Sequence, residues 1–369
     1  MNELMPIING FMLDGEALDA KKHGSGHIND TYLVTLKKND GTVGHVLMQR
    51  MNKRVFKKPI EVMENIMNVT SYLQERIIEK GGDPNRETMS VICSKEGLPY
   101  FVDEKEEYWR CLSFIEDAVS YDQVESLNDF YESALAFGTF QRLLAEYPAE
   151  NLHETIHGFH DTKARFEVFK KVVADNICGR AESVKEEIDF YLSHEHLANI
   201  FGELLEQGEI PLRVTHNDTK LNNVMLDKKT GKAICVVDLD TVMPGLAMND
   251  FGDSIRFGAS TASEDEPDLD KVWCSMEHFE AYAKGFIKGC DGQLTEKEIE
   301  LLPMGAQVMT FECGMRFLTD YLQGDTYFKT HREGQNLDRC RTHIKLVQDM
   351  ERKWDTMNAI IRKCVKEER

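Results

Sequence analysis

The stretch from Val214 to Asp240 reads VTHNDTKLNNVMLDKKTGKAICVVDLD, and it decides the fold. It contains His216, Asp218 and Asn223 at the spacing H-x-D-x-x-x-x-N. Two short apolar runs follow, separated by Asp, Lys, Thr and Gly residues, and the second run ends at Asp238. Turn residues between two apolar runs are typical of a β-hairpin. The stretch therefore predicts a polar loop, a strand, a turn, a second strand and a carboxylate at its end.

This arrangement supplies the three protein groups that phosphoryl transfer from a nucleotide requires. One carboxylate orients the attacking hydroxyl or accepts its proton, while an amide oxygen and a second carboxylate hold Mg²⁺ against the phosphates. We assign Asp218 to the first role, and Asn223 and Asp238 to the second. The same spacing occurs in protein kinases and in the aminoglycoside phosphotransferase and choline kinase group. The alternative interpretation is an ordinary polar hairpin, since Asn and Asp are common turn residues.

The composition indicates a globular protein and limits its partners. The 369 residues are enough for two lobes with a substantial core. The formal net charge of −20 argues against a nucleic-acid partner, because neutralising phosphates requires clustered Lys and Arg. The nine cysteines never form C-x-x-C, so neither a disulfide framework nor a zinc knuckle is predicted. No targeting segment or membrane helix is predicted. We expect a cytoplasmic monomer or homodimer.

The predicted fold class is α+β, a bilobal protein-kinase-like fold. Residues 1–118 are expected to form the N-lobe, a small antiparallel sheet with one helix that begins at Pro59. Residues 119–369 are expected to form a larger helical C-lobe that carries the catalytic hairpin and the acceptor site. Helical periodicity predicts helices at Leu127–Glu146, Arg165–Val173, Glu182–Glu206 and His343–Glu368, with others after Leu269 and Glu296.

A glycine turn near the N-terminus is a candidate nucleotide-binding loop. Gly24 and Gly26 would let backbone N–H groups approach the phosphates, although Asn29 stands where a third glycine is expected. A plain hairpin is the alternative interpretation of this turn. Ile115 and Glu116 follow the last predicted strand of the N-lobe, where the backbone of a hinge would meet the adenine edge.

The third predicted strand lacks the lysine that pairs with the nucleotide phosphates in protein kinases. It ends in Gln49 and Arg50, so either Arg50 takes that role or a polar contact from Gln49 replaces it. The helix partner of this group is open between Glu61 and Glu64. A solvated charge on the helix face is the preferred interpretation of Glu61.

A second motif, H-E-x-x-H, runs from His153 to His157 and is a zinc-protease signature when it lies on a helix. Gly158 follows at once, where such a helix should continue. The extended form H-E-x-x-H-x-x-G-x-x-H is absent, and His160 is too near in sequence to be its third ligand. A zinc-dependent hydrolase is therefore a remote alternative.

The string Asp250–Gly252 spells D-F-G, the metal-binding motif of protein kinases. It lies 27 residues beyond Asn223, and no apolar strand precedes it. Because Asp238 occupies the expected strand end, we assign the metal there and expect Asp250 to accept hydrogen bonds from the catalytic loop. Asp240 could touch the same metal.

Longer strings resemble the N-acetylhexosamine 1-kinases, a group within the aminoglycoside phosphotransferase family of kinase-like folds. The catalytic motif alone identifies only the superfamily, whereas these strings are more specific and extend over most of the chain. They are Gly26–Asn29, Thr31–Val34, Phe190–His194, Arg213–Asn223, Val237–Gly245, Asn249–Ala259, Glu312–Leu318 and Ile344–Gln348.

The resemblance implies ATP- and Mg²⁺-dependent phosphorylation of the anomeric hydroxyl of N-acetylglucosamine or N-acetylgalactosamine. It implies that Asp218 is the base, which also touches the acceptor, and that Arg316 and Tyr327 bind the sugar. His27, in the glycine turn, is expected to contact the sugar or a phosphate. An Arg fork can hold sugar hydroxyl or acetamide oxygens, and a Tyr offers a ring face with a polar tip. Without the resemblance, Arg316 would be an ordinary helix-face residue and Tyr327 a half-buried aromatic.

Other acceptors would keep the fold and change the substrate. Aminoglycosides require clustered acids, and residues 264–270 are rich in Asp and Glu, although we interpret that run as a solvated loop. Choline requires an aromatic cage, and the three Trp residues are too dispersed to form one. A pseudokinase that only binds nucleotide is disfavoured, because the base and the metal ligands are all present.

Overall fold

The computed structural model describes residues 4–24 and 28–368, and within them the chain divides into two units. The first unit contains the described residues up to Ser120 together with two later stretches, Glu146–His157 and Asn223–Pro244. The second unit contains Tyr121–Ala145, Gly158–Asn222 and the residues from Gly245 onward. The predicted catalytic loop therefore belongs to the second unit as far as Asn222, whereas Asn223 and the hairpin that follows it belong to the first.

Strands predominate in the first unit and helices in the second. The strands are β1 Glu16–Lys22, β2 Asp30–Lys37, β3 Val43–Arg50, β4 Val91–Ile92, β5 Phe101–Val102, β6 Tyr108–Ser113, β7 Ala118–Val119, β8 Arg213–Thr215, β9 Val224–Asp227, β10 Ala233–Val236 and β11 Met243–Gly245. The helices are α1 Met5–Ile8, α2 Pro59–Glu79, α3 Pro84–Glu87, α4 Leu127–Leu143, α5 Thr162–Asp175, α6 Lys185–Ser193, α7 Glu195–Glu206, α8 Ala247–Gly258, α9 Met276–Cys290, α10 Glu296–Glu300, α11 Leu302–Leu322, α12 Gln335–Arg352 and α13 Trp354–Glu368.

The first unit is built on an antiparallel sheet with the strand order β1-β2-β3-β6-β4, and β5 pairs with β6. Because side chains alternate between the two faces of a strand, Val46 and Met48 enter a hydrophobic core. Gln49 lies on the opposite face. The register places it opposite Thr31 on β2 and opposite Arg110 on β6. Three polar side chains from adjacent strands thus share one row of the sheet.

The predicted hairpin is present as strands β9 and β10, which join β7 in a second antiparallel sheet. Asp227 forms the turn, since its carboxylate accepts the backbone N–H groups of Lys229 and Thr230 at 3.0 and 2.8 Å. Hydrogen bonds from Thr230 and Lys229 lower the pKa of Asp227 to about 2. The turn chemistry read from the sequence is confirmed.

Two helices of the second unit, α8 and α11, cross at a pair of glycines. A Cβ on Gly252 would lie 2.2 Å from the backbone oxygen of Gly305, so neither position tolerates a side chain without a shift of the backbone. Phe251 is fully buried with its ring edge against Phe279 and Phe286. The D-F-G string is therefore the interior of a packed helix.

The predicted fold class is confirmed as a mixed α+β protein with a small antiparallel-sheet N-terminal region and a larger helical part. The helix predicted from Leu127 begins there, with Ser126 as its N-cap. The single helix predicted at Glu182–Glu206 is wrong, because it breaks at His194, whose ring Nδ1 donates to the Phe190 carbonyl at 2.7 Å. The last predicted helix likewise divides at Lys353. No helix among the described residues is long and apolar enough to cross a membrane.

Candidate active site

Asp250 holds the backbone of the predicted catalytic loop in the second unit. Its carboxylate accepts the N–H groups of His216 and Asn217 at 2.9 and 2.8 Å, and the side-chain amide of Gln141 at 2.8 Å. Burial raises the pKa of Asp250, and the hydrogen bonds from the loop oppose that shift. The expectation that Asp250 accepts hydrogen bonds from the loop is confirmed.

Further hydrogen bonds fix the loop on α8. The Thr219 hydroxyl donates to the Asp250 carbonyl at 2.6 Å, and Ser254 donates to the Thr219 carbonyl at 2.6 Å. The His216 ring is buried, with the Phe137 ring edge-on at 5.3 Å, and its Nδ1 accepts the Asp218 N–H at 3.3 Å. The histidine of the motif thus fixes the backbone of Asp218.

Asn217, immediately before Asp218, has a left-handed backbone with φ 65°. This region is uncommon for residues other than glycine and persists only when the surroundings enforce it. Two hydrogen bonds hold this conformation. The Asn217 N–H donates to Asp250, and the Thr215 hydroxyl donates to Asn217 Oδ1 at 3.0 Å. The loop presents Asp218 from a fixed, unusual backbone.

Gly245 packs directly against this loop. A Cβ there would lie 2.2 Å from Thr215 Oγ1 and 3.0 Å from Asn217 Oδ1. We therefore expect Gly245→Ala to lower both the melting temperature and kcat, since the loop must shift to accept a methyl group. The matched control is Gly202→Ala in α7, where a Cβ meets nothing within 4 Å. That change should stabilise the protein by about 0.5–1 kcal/mol, and equal melting curves for the two variants would contradict the packing argument.

Asp218 is paired with Lys220, whose Nζ lies 2.9 Å from Asp218 Oδ1. Burial disfavours the charged Lys220, but Asp218 and Asp253 outweigh it and raise the pKa of the lysine. Asp253 is itself buried and accepts two hydrogen bonds from Arg256, at 3.0 and 2.9 Å. Acids and bases therefore alternate from Asp218 to Arg256.

A second charged cluster, centred on Glu312 of α11, reaches the loop through His160. Glu312 is buried and lies 3.0 Å from His160 Nδ1, 2.6 Å from the Thr162 hydroxyl and 3.6 Å from Arg165 Nε. The other ring nitrogen of His160 lies 3.2 Å from the Asn217 carbonyl oxygen. Although burial favours a protonated carboxyl, His160 and Arg165 lower the pKa of Glu312 to about 2.

Two of the predicted sugar ligands, Arg316 and Tyr327, lie in the second unit as well. Arg316 is one turn along α11 from Glu312, and its guanidinium carbon lies 5.4 Å from the Phe328 ring centroid. Burial and the positive charge of Arg316 lower the pKa of Arg165. Tyr327 is 74% exposed.

The loop that carries Tyr327 is organised by one buried carboxylate. Asp320 accepts the backbone N–H groups of Thr326 and Tyr327 at 2.8 Å and that of Phe328 at 2.9 Å. It also accepts the side-chain amide of Asn336 at 2.9 Å. The backbone at Tyr327 is therefore fixed while its ring faces solvent.

The two predicted magnesium ligands lie in the first unit. Asn223 is buried, and its carbonyl accepts the Val237 N–H at 2.9 Å, which fixes it to the end of the hairpin. Asp238 is exposed and has a left-handed backbone with φ 59°. An amide oxygen and a carboxylate are ligands that Mg²⁺ prefers, so this donor set fits the ion.

Asp240, whose possible metal contact the sequence left open, forms a buried ion pair with Arg110. Its Oδ1 accepts a hydrogen bond from the buried Arg110, and its Oδ2 accepts the Asn29 amide at 2.8 Å. Arg110 also donates to Gln49 Oε1 at 2.8 Å, and Gln49 donates to Thr31 at 2.9 Å. Both carboxylate oxygens are committed to protein partners. A metal contact from Asp240 stays a prediction, because each carboxylate oxygen has a second lone pair beyond the one used here.

The remaining side chains predicted for nucleotide binding have other partners. Arg50 forms an ion pair with Asp30, with Nε 3.0 Å from the carboxylate. Glu61 pairs with Lys58. Glu64 lies 2.8 Å from His153. Neither glutamate pairs with a side chain of β3, so the helix partner expected for a phosphate-binding residue is missing from these two positions.

The backbone positions predicted for nucleotide binding are only partly described. Gly24 has φ 77°, whereas Gly26 and His27 lie outside the described residues. Ile115 is buried, and the Glu116 carbonyl accepts a hydrogen bond from Arg86 at 2.8 Å. Nucleotide contacts at these positions stay predictions.

The H-E-x-x-H motif does not form a zinc site. Residues 153–157 are not helical, so the two histidines do not share a helix face. His157 is 95% exposed and pairs with Glu154. The geometry on which a zinc hydrolase depends is therefore missing from these residues.

One other group has metal-ligand chemistry within the described residues. Ligand atoms of Glu264, Cys313 and His343 lie within 4.8 Å of one another. However, Arg256 donates to Glu264 at 3.0 Å and to His343 Nε2 at 3.4 Å. The guanidinium already uses the lone pairs that a metal would need.

A comparison with known protein families decides the class of the chain. The model of the phosphotransferase enzyme family, APH, matches residues 19–281, which is more than half of the 369 residues. The chain belongs to this phosphotransferase family. The prediction of an enzyme that phosphorylates a hydroxyl group of a small molecule is thereby confirmed.

Solved structures show the same fold as the phosphotransferase at low sequence identity. A microcompartment-associated aminopropanol kinase matches with a TM-score of 0.58 and 14% identity, and the alignment covers 97% of this chain and 98% of the aminopropanol kinase. An amicoumacin kinase in complex with AMP-PNP, Ca²⁺ and Ami matches with a TM-score of 0.56 and 11% identity, covering 93% and 92%. Plasmodium vivax ethanolamine kinase matches with a TM-score of 0.52 and 13% identity, covering 88% and 82%.

Sequence reasoning missed two charged residues of the phosphotransferase. Arg110 was only one position in a predicted strand, because its partner Asp240 is 130 residues away. His160 was considered only as a zinc ligand, because its partner Glu312 is 152 residues away. The one available signal was a charged residue inside an apolar strand, since a buried arginine requires a partner.

Proposed function

We propose that this phosphotransferase transfers a phosphoryl group from ATP to the anomeric hydroxyl of an N-acetylhexosamine. Asp218 orients that hydroxyl and accepts its proton, and Asn223 and Asp238 hold Mg²⁺, which neutralises the nucleotide phosphates. The family match and the oxygen donor set support the ATP- and Mg²⁺-dependent reaction. The choice of an N-acetylhexosamine rests on the resemblance of the longer sequence strings, and the charges around Asp218 favour a neutral acceptor.

The observation that carries the proposal is that the acids near the catalytic loop are already paired. Lys220 pairs with Asp218, His160 with Glu312, and Arg256 with Asp253. An acceptor with several ammonium groups needs carboxylates that lack a cation of their own, because only these repay its desolvation. The charge pattern therefore favours a neutral, hydrogen-bonding acceptor over an aminoglycoside or choline.

Arg316 and Tyr327 have the groups that a neutral sugar needs. The Arg316 guanidinium makes no salt bridge with any described carboxylate, so its five N–H donors are available for hydroxyl or acetamide oxygens. The exposed Tyr327 ring offers an apolar face for a sugar ring and a hydroxyl at its edge. Both residues belong to the same unit as Asp218.

The acidic run at residues 264–270 does not favour the alternative acceptor. Glu264 pairs with Arg256, Asp265 with Arg332, and both Glu266 and Asp268 with Lys271. Four of the five acids in the run therefore already have a cation within salt-bridge distance. An aminoglycoside or choline-type acceptor therefore remains the second candidate, without a matching site among the described residues.

A panel of acceptors tests the proposal. ADP release should be fast with N-acetylglucosamine or N-acetylgalactosamine and close to background with kanamycin, choline or ethanolamine. Asp218→Asn is the blank for contaminating ATPase activity. Arg316→Met should raise KM for the sugar about tenfold or more and leave KM for ATP unchanged. The substitution removes a charged hydrogen-bond donor that contacts the acceptor and not the nucleotide.

The position of the new phosphate completes the test. In the NMR spectrum of the product, the phosphorus should couple to the anomeric proton. Turnover of a cationic acceptor with none of either sugar would overturn the choice of acceptor. A phosphorus coupled to a proton elsewhere on the sugar would overturn the choice of hydroxyl.

A further inference from the structure

His160 contacts two hydrogen-bond acceptors at once. Its Nδ1 lies 3.0 Å from a carboxylate oxygen of Glu312, and its Nε2 lies 3.2 Å from the carbonyl oxygen of Asn217. A neutral imidazole has only one N–H, so one of these oxygens would face a ring lone pair. Because the pKa of Glu312 is lowered, against the effect of burial, by His160 and Arg165, its carboxyl is ionised and can only accept. With an ionised Glu312, both contacts are satisfied only by the doubly protonated ring. The geometry therefore indicates an imidazolium paired with a carboxylate.

The surroundings of His160 support the charged form. The side chain of His160 is 10% exposed and that of Glu312 is 1% exposed, so solvent screens their pair weakly. Burial works against the charge, but Glu312 and Asp253 outweigh it and raise the pKa of His160. The opposing cations are Arg165, which lies 3.6 Å from Glu312, and Lys220, which faces Asp253.

The Asn217 carbonyl joins His160 to the residue that performs the chemistry. It belongs to the peptide bond that leads into Asp218, and Asn217 has a left-handed backbone. Asp250 holds this segment through the N–H groups of His216 and Asn217. His160 holds the same segment from a second side, because its Nε2 donates to the Asn217 carbonyl.

We propose that His160, as an imidazolium, is a positioning residue that ties the Asn217 carbonyl, and with it the Asp218 carboxylate, to Glu312 on α11. This inference rests on the role of Asp218 in the proposed function. Since a small displacement of a catalytic group can cost about 10²-fold in rate, the tie acts on kcat more than on binding.

The tie exists only while His160 is protonated, which gives kcat a defined pH dependence. Because its pKa is raised, the contribution is fully present at low pH and is lost as the pH rises through that pKa. Glu312 is the main group that stabilises the imidazolium against the cost of burial, and Glu312→Gln removes its charge. Glu312→Gln should therefore move the alkaline limb of kcat to lower pH, by about 1–3 units.

The experiment compares pH profiles of kcat for the wild type, Glu312→Gln, His160→Gln and the double variant, with ATP and acceptor saturating. His160→Gln should lower kcat about 10- to 100-fold, with KM for ATP unchanged, and should lack the alkaline limb that Glu312→Gln shifts. The double variant should match His160→Gln. Thr162→Val removes another hydrogen bond to Glu312 and is the control for a loss of stability; its alkaline limb should stay in place.

A direct titration keeps the test independent of turnover. NMR of the ring nitrogens should show both carrying protons in the wild type near neutral pH and fewer in Glu312→Gln. A wild-type limb unchanged in Glu312→Gln, or a neutral His160 ring, would overturn the positioning role. If instead Asp218→Asn retained full turnover, the proposed function would fail while the NMR result could still stand.

Discussion

Asp218→Asn is expected to lower kcat about 10²- to 10⁴-fold, while the affinity for ATP stays close to that of the wild type. Asparagine keeps the size of the side chain and loses the charge, so it can no longer accept a proton from the attacking hydroxyl. The backbone of the loop should stay in place, because Asp250 and His216 hold it through main-chain N–H groups.

The size of this loss reports on the acceptor. Because an anomeric hydroxyl is more acidic than an ordinary alcohol, the proposed function predicts that Asp218 contributes more through orientation than through proton removal. A loss near the lower end of the range fits a sugar hydroxyl, with positioning and charge neutralisation supplying the rest. Single-turnover kinetics and calorimetric titration with ATP separate the chemical step from nucleotide binding.

Asp189→Asn is the matched control, since the same substitution on an exposed position of α6 should leave kcat unchanged. Wild-type turnover in Asp218→Asn would show that the base is elsewhere. A loss of ATP affinity equal to the loss of kcat would instead show that the substitution disturbs the nucleotide site.

The catalytic loop could be predicted from the sequence because its parts are close along the chain. His216, Asp218 and Asn223 lie within eight residues, and the hairpin after them is fixed by a local turn. The structural role of Asp250 was also predictable, because no strand delivers it to the metal position. Each of these arguments uses only spacing and turn chemistry.

The contacts that stabilise this loop were not predictable, because their partners are distant along the chain. Register decides that Gln49 rather than Arg50 shares a face with Arg110, and a single sequence does not fix which strands are neighbours. The role of His160 was missed for a related reason, since the H-E-x-x-H string suggested only a zinc ligand. A histidine's role depends on the two groups that its ring nitrogens contact, and neither partner is local.

Arg110→Met is expected to lower the free energy of unfolding by about 3–5 kcal/mol, the largest stability effect that we expect for one substitution in the first unit. The Asp240 carboxylate would lose its cation in a buried site and retain only the Asn29 amide as a partner. Arg50→Met is the matched control. Its partner Asp30 is part-exposed, so the same change should cost about 0–1 kcal/mol in urea unfolding.

The double variant Arg110→Met/Asp240→Leu distinguishes the cost of a buried charge from the role of the pair. Replacing both partners by apolar side chains removes the uncompensated carboxylate, so much of the lost stability should return. Activity should not return with it, because Asp240 ties the segment after Asp238 to the Gln49 row of the sheet through Arg110. A stable double variant with wild-type kcat would show that the ion pair serves the fold alone, and that Asp238 keeps its place without it.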